Sequence, residues 1–135
     1  MAGVHELENV PLFSSLDADQ LAKISDWFHV QNAREGMRLV GEGAPGYTFF
    51  VLLDGTAEVS AASKTVAELG SGDFFGELAI LGDGRRTATV TSTSPVRLLV
   101  MFGTEFRQLE AAYPEIASRL IETMRTRAGG LAERV

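Results

Sequence analysis

Apolar positions along the chain follow three successive rhythms. In the first, over residues 1 to about 32, Leu21, Ile24 and Phe28 recur three and four apart, the spacing that lines one face of a helix. Asp17 stands where an N-cap belongs, and Gln20 three residues later completes a capping box. Leu12 and Phe13 form a short packed turn ahead of it, and Trp27 is expected to pack against the helices.

From residue 34 to 102 the rhythm shortens. Apolar or β-branched runs at 47–53, 57–60, 87–93 and 96–102 lie between glycines at 36, 41, 43, 46, 55, 70, 72, 76, 82 and 84. Short strands at such spacing predict an antiparallel sandwich or barrel. Asp54-Gly55 sits between two runs, where a type I′ hairpin turn needs positive φ. From Thr104 the helical rhythm returns. Thr104 is the expected cap of a helix carrying Phe106 and Leu109. Pro114 then opens a second helix with Ile116, Leu120, Ile121 and Met124 on one stripe, and Gly129-Gly130 stops it. The expected fold is α+β and one domain over 1–135. It has a helical segment (1–32), an antiparallel β-barrel of about eight strands (34–102) and C-terminal helices (104–128).

Composition narrows the function. With 12 basic and 18 acidic residues the net charge is −6, so there is no basic face for nucleic acid. The longest apolar run, 49–53, has five residues, against roughly 20 for a bilayer-spanning helix. No basic region followed by an apolar stretch opens the chain, so the expected location is cytoplasmic, without membrane contact. There is no cysteine, which removes thiol chemistry and disulfides. His5 and His29 are isolated, so neither a metal site nor a metal-dependent β-barrel enzyme is expected.

One stretch of the β region, 75–90, does not read as a strand. Glu77, Leu78, Ala79, Ile80 and Leu81 are helix formers bracketed by Gly76 and Gly82, enough for one helical turn. N–H groups at a helix start lack internal partners and favour an anion. Gly76 lets a ligand approach the backbone. Beyond the loop Gly82-Asp83-Gly84, Arg86 and Thr87 open the next strand. A carboxylate, a guanidinium, a hydroxyl and free N–H groups then share one concavity, which suits a phosphate fused to a sugar.

This stretch resembles the phosphate-binding cassette of cyclic nucleotide-binding domains, with the glutamate and the arginine nine positions apart. The resemblance extends over about residues 10 to 128, through Pro11-Leu12-Phe13, Gly36 to Gly46, Phe49 to Gly55 and Leu69 to Glu77. It implies a jelly-roll barrel and a non-enzymatic sensor without cofactor. The ligand is cAMP by preference, with cGMP as the alternative. Arg86 would pair with the cyclic phosphate bidentately, and Glu77 would accept from the ribose 2′-OH. Gly76, Leu78 and Ala88 would offer N–H groups, and Thr87 would bond the phosphate. By alignment Val59, Val66, Leu69, Phe75 and Val90 line the base pocket. Met124, Arg125 and Arg127 lie where relatives place a residue that covers the base, with Arg127 the chosen one.

Two departures stand out: Arg85 replaces the usual proline, as a second cation that would be able to compete for the phosphate, and the link between Val59 and Val66 is short. Only residues 131–135 follow Gly130, too few for a DNA reader. The effector is therefore expected on a partner protein or on a longer chain, and the C-terminal helices offer a face for a homodimer. A protein-interaction module that keeps the fold and has lost the nucleotide is the alternative.

Overall fold

The computed structural model describes residues 3–41, 48–76 and 88–127. Helix α1 (Val4–Leu7), a 3-10 turn at Pro11–Phe13 and α2 (Ala18–Ser25) come first. Eight described strands follow: β1 (His29–Ala33), β2 (Arg38–Val40), β3 (Thr48–Asp54), β4 (Ala57–Ala61), β5 (Lys64–Leu69), β6 (Phe74–Phe75), β7 (Thr89–Ser92) and β8 (Val96–Phe102). Helices α3 (Gly103–Ala112) and α4 (Pro114–Arg127) complete the order. No helix among the described residues is long and apolar enough to cross a membrane.

The capping box of α2 forms as its sequence predicts. Asp17 Oδ1 accepts from the Gln20 N–H at 2.9 Å, and Gln20 Oε1 accepts from the Asp17 N–H at 3.1 Å. The helical rhythm misleads beyond Ser25, however. Phe28 keeps the spacing but lies after the helix ends, buried edge-to-face on Phe13 at 5.4 Å. Residues 29–33 are a strand, although the helical expectation runs to about residue 32. Their backbone pairs along its whole length with Val96–Val100 of β8, and that pairing overrides the local pattern.

The strands make two antiparallel four-stranded sheets, ordered β1-β8-β3-β6 and β2-β7-β4-β5. β3 and β8 are apolar at consecutive positions because both faces of the pair are covered. Phe49, Val51, Leu99 and Met101 meet the helices. Phe50, Leu52, Leu98 and Val100 point into the space between the sheets. Each such side chain contributes about 1.5–3 kcal/mol on burial. On the helix side Leu12, Phe13, Ile24, Phe106, Leu109, Leu120 and Met124 complete the core.

The turns differ from expectation in two places. At Asp54-Gly55 only Gly55 has positive φ, +96°, so a type I′ turn is not formed there. A Cβ at Gly55 would lie 2.3 Å from the Pro95 carbonyl oxygen, which is why the position needs glycine. Two consecutive positive φ values occur instead at Ala62 (52°) and Ser63 (67°), between β4 and β5. Neither residue type signals that turn. Thr104 is not the cap of α3: the helix begins at Gly103, Phe102 is the N-cap, and the Phe102 N–H donates to Glu105 Oε1 at 2.9 Å. Pro114 opens α4 as expected. Gly129-Gly130 lies outside the described residues.

Two polar features pin the frame. Ser92, 2% exposed, holds the turn between β1 and β2: its Oγ donates to the Arg34 carbonyl at 2.6 Å and accepts from the Met37 N–H at 2.9 Å. Glu105 ties α3 to β1, since its Oε2 lies 2.9 Å from His29 Nε2. With His29 53% exposed, that pair is worth at most about 1 kcal/mol. Apolar burial therefore docks α3, through Phe106 and Leu109 of the helix-side core.

Ser92→Ala removes the side-chain partner of the part-buried Met37 N–H and Arg34 C=O, and urea unfolding should show a loss of about 0.5–1.5 kcal/mol at unchanged m. Glu105 has a directional pH signature. Burial opposes its ionisation, but the Phe102 N–H and His29 together outweigh that and hold its carboxyl below the usual range. A depressed folded-state pKa adds stability above the unfolded value and loses it as pH falls through the folded one. Glu105→Gln should thus narrow the stability gap between neutral pH and pH below about 4, measured by denaturant melts across that range.

Candidate functional site

Four of the six residues expected to line a base pocket come together inside the barrel. Val59 and Val90 are directly paired across β4 and β7, each 0% exposed. Leu69 follows on β5, paired with Ala57. Phe75 stacks on Phe50, with ring centroids 4.8 Å apart and planes 12° apart. All belong to one apolar cluster between the sheets. Val66 is not part of it. The β4–β5 register shifts between Val59 and Ser60, leaving Val66 as the extra residue of a bulge and 41% exposed. Arg127 ends α4, and its side chain lies outside the described residues. Met124 is 1% exposed in the helix-side core, so it belongs to packing.

Among the further members of this cluster that escaped the sequence reading are Val40, Phe50 and Ala57. Val40 pairs with Val90, so β2 brings it beside the predicted residues. No local feature of the sequence announces that pairing. For Phe50 no local signal existed, because residues 49–53 are all apolar and show no alternation.

The cassette leaves and enters this wall at two anchored points. Leading in, the Leu52 carbonyl accepts from the Gly72 N–H at 2.7 Å, and the Leu52 N–H donates to the Asp73 carbonyl at 2.8 Å. Asp73 Oδ2 accepts from the Gly70 N–H at 2.8 Å and closes the turn. β6 then pairs with β3, and Gly76 ends it at φ +78°, a conformation in which an L side chain is strained. Leading out, Ala88 is 0% exposed in the interior cluster, immediately before β7. Residues 77–87 thus connect the edge of one sheet to the centre of the other. Glu77, Leu78, Arg85, Arg86 and Thr87 lie outside the described residues, as does the expected helical turn.

The described wall is hydrocarbon, without a nucleophile or proton-transfer group. Such a surface binds a flat apolar group and leaves recognition of charge to what borders it. The charged residues of the intervening stretch 77–87 are Glu77, Asp83, Arg85 and Arg86.

Residues 30–113 match the sequence model of a family described as the cyclic nucleotide-binding domain. The chain is 39% identical over 103 residues to a cAMP-dependent protein kinase regulatory subunit of Hypocrea atroviridis, covering 76% of this chain and 22% of that one. It is 38% identical over 121 residues to a cGMP-dependent protein kinase, isozyme 2, of Drosophila melanogaster, covering 84% of this chain and 13% of that one. The chain therefore spans less than a quarter of the length of these two curated relatives. Among solved structures, it is similar to the N-terminal domain of a transcriptional regulator from Streptomyces coelicolor. That match has a TM-score of 0.79 and 28% identity and covers 90% of this chain and 91% of that one. The two-sheet frame, its apolar interior and the sequence match agree: the chain belongs to the cyclic nucleotide-binding domain family.

Proposed function

We propose that this chain is a regulatory module that binds a 3′,5′-cyclic purine nucleotide between its two sheets. One observation carries the reading: both ends of the cassette, Gly76 at positive φ and the fully buried Ala88, are anchored on the wall of Val59, Leu69, Phe75 and Val90. The base would lie on that apolar wall. The phosphate would meet Arg86 and the N–H groups of Gly76, Leu78 and Ala88, the ribose would meet Glu77, and Thr87 would add a hydroxyl. Arg127 would cover the base as the C-terminal helices close. Val66, on its exposed bulge, would make contact only at the pocket mouth. Closure is a population shift, so nucleotide must bind the closed arrangement better than the open one.

cAMP is the favoured ligand and cGMP the alternative, in line with relatives named for dependence on each. The module acts without catalysis, in the cytoplasm, as one domain over 1–135, and signals to an effector on a partner or a longer chain, with the C-terminal helices as a dimer face. Titration calorimetry of nucleotide-free protein with cAMP, cGMP and 5′-AMP tests this. Saturation by a cyclic nucleotide and none by 5′-AMP is expected; absence of saturation by both cyclic nucleotides would leave the interaction-module alternative.

Arg86→Ala removes a charge-assisted contact of about 1.5–3 kcal/mol and should weaken affinity about 10- to 150-fold. A larger loss in Arg85→Ala would transfer the phosphate role to Arg85.

A further inference from the structure

Four described strands end the two sheets: β1, β6, β2 and β5. An edge strand presents unpaired N–H and C=O groups to any other strand, and proteins blunt such edges with shortness, bulges, lysine or proline. Three of the four are blunted. β6 has two residues. β2 has three, with a register shift between Arg38 and Val40. β5 carries Lys64, Glu68 and the bulge at Val66. β1 has none of these devices. Its five residues, His-Val-Gln-Asn-Ala, pair with β8 in unbroken register and have no described neighbour on the other side.

Beside β1 runs a groove of about 470 Å³. Phe50 and Val100 lie in it, and Met37 and Phe102 are 39% and 50% exposed along it. Arg34 and Arg38 also line it, where β1 turns into β2, and neither makes an ion pair among the described residues. No aspartate or glutamate lines it among the described residues, in a chain of net charge −6. An open edge, an apolar trough and a basic end together select one kind of occupant.

We propose that β1 and this groove receive an extended segment of a partner protein, added to the sheet as a strand. Its alternate side chains are apolar and enter the trough beside Phe102 and Met37. Its end over the β1–β2 turn carries carboxylates for Arg34 and Arg38. Main-chain hydrogen bonds to β1 supply affinity, and the arginines fix direction.

The probe is a fluorescein-labelled octapeptide with isoleucine at alternate positions, threonine between them and two aspartates at one end, made in both chain directions. Fluorescence anisotropy should show saturable binding of one direction. Hydrogen exchange should slow at residues 29–33. The double variant Arg34→Glu/Arg38→Glu should weaken binding about tenfold or more, and added salt should weaken it too. Phe102→Ser should weaken it as well; because Phe102 heads α3, Met37→Ser on the exposed rim repeats the test without touching a helix. No binding in either direction overturns the proposal. So does equal binding of a peptide with lysines for aspartates, or protection at β5 or β6 in place of β1. Protection of β1 that rises with protein concentration alone assigns the edge to a second copy of the chain and overturns it too.

Discussion

The pairing of β3 with β8 buries apolar side chains on both of its faces, and the other elements are placed by it. One face, with Phe49, Val51, Leu99 and Met101, is where the N-terminal and C-terminal helices dock. The other, with Phe50, Leu52, Leu98 and Val100, is a wall of the interior. β1 and β6 pair on either side of these two strands. At about 1.5–3 kcal/mol per buried side chain, no surface ion pair competes with this contact in holding the fold.

That arrangement gives the interior and the helices a shared partition one strand-pair thick. Phe50 and Phe75 lie on strands whose opposite faces carry the helix side of the core, including Phe106, Leu120 and Met124. The junction at Phe102, where β8 becomes α3, is also where Glu105 holds both the Phe102 N–H and His29. That joint consists of one hydrogen bond from the Phe102 N–H to the Glu105 side chain and one exposed pair with His29.

Legibility from sequence varied with the locality of the cause. The capping box at Asp17 and Gln20 and the start of α4 at Pro114 were readable because each is decided by residues within one turn. The strand at His29–Ala33 was not, because its partner is some 70 positions away in β8 and the helical spacing of Leu21, Ile24 and Phe28 runs up to it. Ala62 and Ser63 adopt positive φ that nothing in their chemistry announces; the pairing of β4 with β5 on both sides imposes it. Of the residues that the resemblance groups around a base, Val59, Leu69, Phe75 and Val90 share one interior cluster, and Val66 stands apart from it because a bulge shifts its register by one residue.

By itself the sequence determined the succession of helix, strands and helices, the order of the cassette residues and the acidic net charge of −6. These follow from periodicity, turn chemistry and charge count, which act over a few residues or over the whole chain at once. The tertiary structure alone decided which face of a uniformly apolar strand lines the interior. It also decided that Val40 joins Val59 and Val90, and that β1 ends its sheet among the described residues, beside Met37 and Phe102. Each of those depends on which strands become neighbours, and strand neighbours are chosen by the burial of both faces of β3 and β8 rather than by any local signal.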